Sequence, residues 1–392
     1  MGNVRLNQCH HKNVKRVRAS GSYSLLKGGT PPDGLEPSTF RLTAERSAIE
    51  LRGKTILTLR LDFRENYGIT REAVCQERFS VIMMASFTLR SLKTEEWHNV
   101  AELITVSTNF WYRTHGFPAI FTGESSDALL FPEVYETLDP GCCLVAVNEE
   151  TETLVASCFY HPRNTHVSLG IMNVHPNYTG KGLARKLLSQ IIALAEERDL
   201  PLRLVSSAMN LDSFALYTRA GFVPRATYQL MVLPVPDEGL PCVLPEFARV
   251  RSATPEDLPA IVALELEKTG LDREKDYRLF LENKSGIWKT FVLESEMGRG
   301  KIDGVLASVS HPAARLLGPG VADTQAQAAA LLHAQWNVFT GQSPVFLVPV
   351  TASWLVKYLY ALGARNCELY FVQCRGEWHE PVGIVFPTFM PE

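Results

Sequence analysis

From residue 86 onward, apolar and polar positions alternate between the two-residue period of strands and the 3.6-residue period of helices. Phe87 to Leu92 alternates as a strand, and Thr94 offers an N-cap for an amphipathic helix through Trp97, Ala101, Ile104 and Val106. Leu144 to Val147 and Leu154 to Tyr160 read as strands around the turn 148–151, and 166–174 as a third strand. The clearest helix spans 183–197. Leu183, Leu187, Leu188, Ile191, Ile192 and Ala195 share one face, and Arg185, Lys186, Ser189 and Gln190 turn away from it. A buried strand at 202–206, a helix from about Asp212 to Arg219 closed by Gly221, and a strand at 226–232 complete the series.

After the Pro- and Gly-containing stretch 233–241 the order restarts. Val250 to Leu258 parallels Leu89 to Trp97 without a gap, Ala328 to Leu332 echoes Ala184 to Leu188, and Tyr358 to Gly363 echoes Leu216 to Gly221. Three echoes in one order predict a duplicated α/β fold: a domain at 86–235, a linker at 236–245 and a second domain at 246–392. Residues 1–85 lack a sustained apolar period and carry 14 Lys/Arg against 8 Asp/Glu. With the breaker cluster at 28–34, they read as a disordered basic extension or a mis-called start.

Composition narrows the function classes. The 392 residues leave room for two ordinary domains, and 46% hydrophobic with 21% charged is a globular balance. A net charge of -3, with no basic stripe in either domain, argues against a nucleic-acid partner. No apolar run approaches the ~18 residues of a membrane span, and Leu6 breaks the myristoylation pattern that Met1-Gly2 opens. The eight cysteines make no C-x-x-C pair, and the one close pair, Cys142-Cys143, is adjacent with no His at metal-ligand spacing, so reduced thiols, no metal site and a cytoplasmic setting are expected.

One stretch carries chemistry. Val174-His175-Pro176-Asn177-Tyr178-Thr179-Gly180-Lys181-Gly182-Leu183-Ala184 joins a strand to the 183–197 helix. Its glycines allow close backbone approach, and the first helical turn presents unbonded N–H groups at the positive end of the macrodipole. That arrangement suits an anion such as a pyrophosphate. The stretch is neither G-x-G-x-x-G nor a Walker loop, and two glycines before a helix are also what a plain strand–helix turn contains.

The stretch resembles the cofactor signature of the GCN5-related N-acetyltransferases, Gln/Arg-x-x-Gly-x-Gly/Ala after a V-x-P strand exit. Here Val174-x-Pro176 precedes Thr179-x-x-Gly182-x-Ala184, with Thr179 in place of the long polar side chain. Asn210 to Phe222 resembles the family's second block, N-x-x-(S/A)-x-x-L-Y-x-x-x-G-F. The resemblance implies a mixed α/β sheet and acetyl-CoA as co-substrate. Thr179, Gly180, Lys181, Gly182, Leu183 and Ala184 would meet its pyrophosphate, and Asn210 would contact the cofactor. A backbone N–H from Met172, Asn173 or Val174 would polarise the thioester carbonyl, and Tyr217 would protonate the departing thiolate. Trp111, Tyr112, Phe117 and Phe121 fall where relatives shape the acceptor pocket. No carboxylate occupies 166–172, where many relatives hold the general base, which leaves His166, His175 or a water chain.

In the second copy Leu359 stands at the Tyr217 position and Leu317 to Thr324 replaces the glycine loop, with Asp323 suited to capping the next helix. That copy is expected to be non-catalytic, completing the acceptor pocket or offering a homodimer surface. The expected activity is transfer of an acetyl group to a primary amine of a small molecule. The rival expectation is an acyl-CoA sensor without turnover, suggested by Thr179 and the missing carboxylate.

Overall fold

The computed structural model describes the backbone strands β1 (Gln8–His11), β2 (Val14–Ser20), β3 (Thr43–Leu51) and β4 (Lys54–Asp62), and residues 86–392 apart from 297, 299, 389, 391 and 392. The four strands make an antiparallel ladder in the order β1-β2-β3-β4. The rest of the basic extension, including its breaker cluster, lies outside the described residues.

Residues 86–392 run through one element order twice. The first pass is β5 (Phe87–Ser91), α1 (Trp97–Thr114), α2 (Leu130–Leu138), β6 (Cys143–Asn148), β7 (Thr153–Pro162), β8 (Val167–Val174), α3 (Leu183–Glu197), β9 (Leu202–Ser207), α4 (Leu211–Arg219) and β10 (Val223–Val232). The second is β11 (Val250–Ser252), α5 (Leu258–Thr269), α6 (Glu274–Glu282), β12 (Trp288–Glu294), β13 (Ile302–His311), β14 (Ala314–Ala322), α7 (Gln325–Trp336), β15 (Val345–Pro349), α8 (Ser353–Ala361) and β16 (Arg365–Arg375), followed by β17 (Ile384–Phe386). The repetition reaches side-chain detail. Arg90 grips Glu96 through both terminal nitrogens, at 2.7 and 2.5 Å, and Arg251 grips Asp257 in the same way at 2.7 and 2.8 Å. Each bidentate pair fixes a first strand to the 3₁₀ turn entering its first helix. Thr94 therefore opens a 3₁₀ turn instead of capping α1 directly.

Both passes share one mixed sheet, and they exchange a strand. The order reads β11-β12-β13-β14-β15-β10-β16-β9-β8-β7-β6-β5. β16, the sixth strand of the second half, lies between β9 and β10; β10, the sixth strand of the first half, lies between β15 and β16. The slot beside each half's fifth strand is thus filled by the other half's sixth strand.

Apolar periodicity sets the layers. Leu183, Leu187, Leu188, Ile191 and Ala195 of α3 are buried against β7, β8 and β9 on one face, as their spacing predicts. On the opposite face Val100, Ala101 and Ile104 of α1 join a core with Phe131, Val134 and Tyr135 of α2. That core continues into the second half through Ile261, Tyr277 and Trp288, so one apolar layer underlies both repeats.

Candidate active site

The site is built around a gap in the ladder. β8 and β9 pair in parallel at Val167↔Leu202 and Ser168↔Arg203, and there the pairing stops. Past that point the β9-facing edge of β8 has no strand beside it, although its other edge stays paired with β7 as far as Val174. An open edge presents unpaired N–H and C=O groups, which an extended chain can join. Side chains of β8 alternate across the gap. Met172 and Val174 pack on the α3 side, whereas Ile171 packs on the α1 side and Asn173 bonds to it.

At its open end the edge runs into the glycine loop. Gly180 and Gly182 sit at φ +80° and +77°, left-handed values that favour glycine, and an added Cβ at Gly180 would meet nothing within 4 Å. Gly182 is the N-cap residue of α3, and no side chain caps that end. The N–H groups of Leu183 and Ala184 have no intrahelical partner there, so a 15-residue helix presents its positive end without a side-chain cap. The Lys181 ammonium lies 4.8 Å from the centroid of the Tyr178 ring and 6.0 Å from that of Phe87. It is folded back over aromatic faces, and Thr179 contributes a short side chain on an extended backbone.

Asn210 and Tyr217 follow on the α3 side. Asn210 Oδ1 accepts from Ser213 N at 3.0 Å and caps α4, which commits its carbonyl and leaves Nδ2 for another partner. Tyr217 is buried among Leu187, Cys158 and Phe222, with its ring edge-on to Phe222 at 5.8 Å. Burial pushes its phenol well above the usual range, and the nearby Cys158 adds to the shift, so the hydroxyl remains a neutral donor.

The aromatic residues expected around the acceptor divide into two groups. Trp111 meets Tyr112 edge-on at 5.1 Å and stacks on His115 at 4.1 Å, and Tyr112 meets Phe117 at 6.3 Å; Phe117 is exposed. Phe121 instead packs on Phe131 within the core, and Asn109 pins its backbone at 3.0 and 2.8 Å. It supports the rim from behind.

His166 lies at the closed end of the β8–β9 pair, buried. Desolvation, together with the charges of Arg273, Arg203 and Arg163, holds its imidazole far below the usual range. His175 accepts from Asn177 N at 3.2 Å at the loop.

One feature escaped the sequence entirely. Glu368, on the exchanged strand β16, is buried and receives the Tyr112 hydroxyl on Oε1 and the Ser207 hydroxyl on Oε2, each at 2.7 Å. Its only sequence signal is a single carboxylate in a strand of mixed polar and apolar residues, and nothing local assigns that strand to the first half.

The second half has closed the equivalent gap. β14 and β15 also pair in parallel at only two positions, Leu316↔Val345 and Leu317↔Phe346. Beyond them β17 pairs antiparallel with β14 at Gly320, Val321 and Ala322, occupying the edge left open in β8. β14 runs to Ala322, and α7 starts after Asp323-Thr324 without a glycine loop. Thr324, not Asp323, caps α7 by accepting from Gln327 N at 3.3 Å, while Asp323 pairs with Lys268 at 2.7 Å. Leu359, at the Tyr217 position, is fully buried in the apolar core.

Among the described residues no group of three or more His, Cys, Asp or Glu is arranged to hold a metal, and no helix is long and apolar enough to cross a membrane. Residues 97–222 match the model of the acetyltransferase (GNAT) family. The fold is similar to that of a candidate acetyltransferase from Pyrococcus horikoshii, at 14% identity and a TM-score of 0.60, covering 78% of this chain and 95% of that one. It is also similar to a GCN5-related N-acetyltransferase from Sphaerobacter thermophilus, at 15% identity and a TM-score of 0.53, covering 76% and 97%. A tandem GNAT protein from the clavulanic acid biosynthesis pathway superposes with a TM-score of 0.50 at 14% identity, covering 74% and 98%. No curated protein sequence matches the chain.

Proposed function

We propose that the first half of this chain, whose residues 97–222 match the acetyltransferase (GNAT) family, transfers an acetyl group from acetyl-CoA to a primary amine of a small molecule. The observation that carries this reading is the open β8 edge running directly into an uncapped helix N-terminus through two left-handed glycines. An extended pantetheine arm can pair along the edge at Met172–Val174, while the amides of Gly180, Gly182, Leu183 and Ala184 receive the pyrophosphate. Lys181, held over Tyr178, adds positive charge beside that anion without reaching for it. Asn210 Nδ2 remains available to the cofactor, and Tyr217 is a protonated donor for the departing sulfur.

The amine enters from the α1 side, in a ternary complex with the acyl donor. Phe117, exposed and edge-on to Tyr112, gives that mouth an apolar edge, which suits a small amine with an apolar part better than a basic peptide. The second half, whose gap is filled by β17, takes no CoA and carries no transfer chemistry of its own.

A thiolate-release assay on acetyl-CoA with a panel of primary amines tests the reading. Amine-dependent release supports it. Acetyl-CoA binding without release on any amine would leave only a sensor, and absence of acetyl-CoA binding would remove both readings.

A further inference from the structure

Helix α1 bridges the two lips of the gap. On one lip, Asn173 of β8 donates Nδ2 to Ser107 Oγ at 2.7 Å and lies 3.4 Å from Thr108 Oγ1. On the other, Tyr112 reaches Glu368. Four to five residues separate these contacts along α1, so they lie about 6–8 Å apart along its axis. The orientation of Asn173 is fixed chemically. Ser107 gives its own proton to Leu103 O, so its oxygen can only accept, and Asn173 must present the amide. Asn173 Oδ1 is then a buried acceptor with no hydrogen-bond partner among the described residues, in a residue only 9% exposed.

Glu368 is 7% exposed and supplies further acceptor oxygens. Among the described residues, the side chains that hydrogen-bond Glu368 are hydroxyls. Tyr112 comes from α1, Ser207 from β9 and Tyr370 from β16 itself; the neighbouring thiol is Cys367. Burial, then Glu368 itself, pushes the Tyr112 phenol well above its usual range, and burial does the same for Tyr370. Among the described residues no Lys, Arg or His forms an ion pair with Glu368. A buried carboxylate without a cation is expensive to keep, and the mouth of an amine site is where a substrate cation would repay that cost.

We propose that Glu368, delivered into the first half by strand exchange, binds the acceptor ammonium with Asn173 Oδ1 and takes its proton. The proposal rests on the acetyltransferase reading and supplies the base that β8 lacks. In the step, the carboxylate removes one proton from R–NH3⁺ and passes it to solvent. The nitrogen lone pair then forms a bond to the thioester carbon as the C–S bond breaks. The thiolate takes the Tyr217 proton, and the second nitrogen proton restores the phenol. The products are the amide, the free thiol and one released proton.

Glu368→Gln tests this, with Glu368→Asp as a second variant. Calorimetry should give acetyl-CoA affinity within about twofold of the parent chain, while affinity of the amine for the enzyme–CoA complex falls at least about tenfold. With an amine turned over by the parent chain, kcat/KM near pH 7 should fall about 100- to 1000-fold in the Gln variant. The deficit should close as pH rises toward the amine's own pKa, because a free amine needs no base. A purely structural loss would stay constant with pH. The Asp variant, which keeps a carboxylate, should retain a larger share of activity, and it carries the test if the Gln variant shows no cooperative melt. A Gln variant with parental kcat/KM and amine affinity, or a deficit constant with pH, overturns the proposal. If the parent chain binds acetyl-CoA but releases thiolate with no amine, the acetyltransferase reading fails, and the role of Glu368 fails with it.

Discussion

At the scale of single residues, the reading depends on side chains whose surroundings limit them to one protonation state or one orientation. Tyr217 is the clearest case. Burial keeps its phenol protonated across any ordinary assay pH, so it can donate to sulfur but cannot take the first proton from an ammonium. Tyr217→Phe should lower kcat by about 10- to 100-fold without changing acetyl-CoA affinity, read by steady-state kinetics beside calorimetry. An unchanged kcat across pH would remove the proposed acid. Candidates of this kind can be named from the sequence because they lie in contiguous blocks, 174–184 and 210–222, where spacing along the chain reflects spacing in space. Glu368 was not legible. It stands 256 residues from Tyr112 and 161 from Ser207, and only the exchange of β10 and β16 brings the three together. Phe121 misled for the opposite reason: a ring near the right loop can face the core as readily as the cavity.

At the scale of elements, capping and strand ends decide what each helix can receive. α4 and α7 are closed by Asn210 and Thr324, whereas α3 begins at a left-handed glycine with no side-chain cap. Asn210→Ala should therefore destabilise the chain by about 1 kcal/mol in urea unfolding. If Nδ2 also meets the cofactor, acetyl-CoA affinity should fall several-fold in addition, a loss that capping alone would not produce. Strongly periodic elements were read closely from the sequence; α3 occupies the expected 183–197. Weakly patterned ones were not. α2 (Leu130–Leu138) carries a proline in its first turn and was missed, and β10 starts at Val223, ahead of the expected 226, because its pairing with β16 extends past Pro224 across a bulge. The β17 strand also left no usable signal, since three residues show no period.

At the scale of the whole molecule, the two halves depend on each other. The ladder partners of β10 are β15 and β16, both from the second half. A chain ending at residue 240 would leave β10 unpaired and one edge of β9 exposed, an aggregation template. Such a fragment is expected to be insoluble or unfolded, whereas 86–392 should melt in a single calorimetric transition; a fragment with native-like circular dichroism would contradict this. A buried charge cluster also ties the halves together. Asp139 of the first half meets His161 at 2.8 Å, Arg163 at 3.0 Å and Lys275 of the second half at 2.6 Å, and Arg163 in turn bonds Asp276. Burial alone would raise the Asp139 carboxyl, but the His161 hydrogen bond and the Arg163 charge outweigh it and hold the group down at about 2. A lowered folded-state value contributes stability above the unfolded carboxylate range and loses it as pH falls. About 2 kcal/mol should therefore disappear between about pH 4 and pH 2, and Asp139→Asn should flatten that part of the stability profile.

The central claim is that one acyl-CoA site lies in the first half, the second having closed its own gap with β17. Calorimetric titration of the full chain with acetyl-CoA tests it most directly. One molecule bound per chain is the predicted result; two molecules per chain, or none, would contradict it.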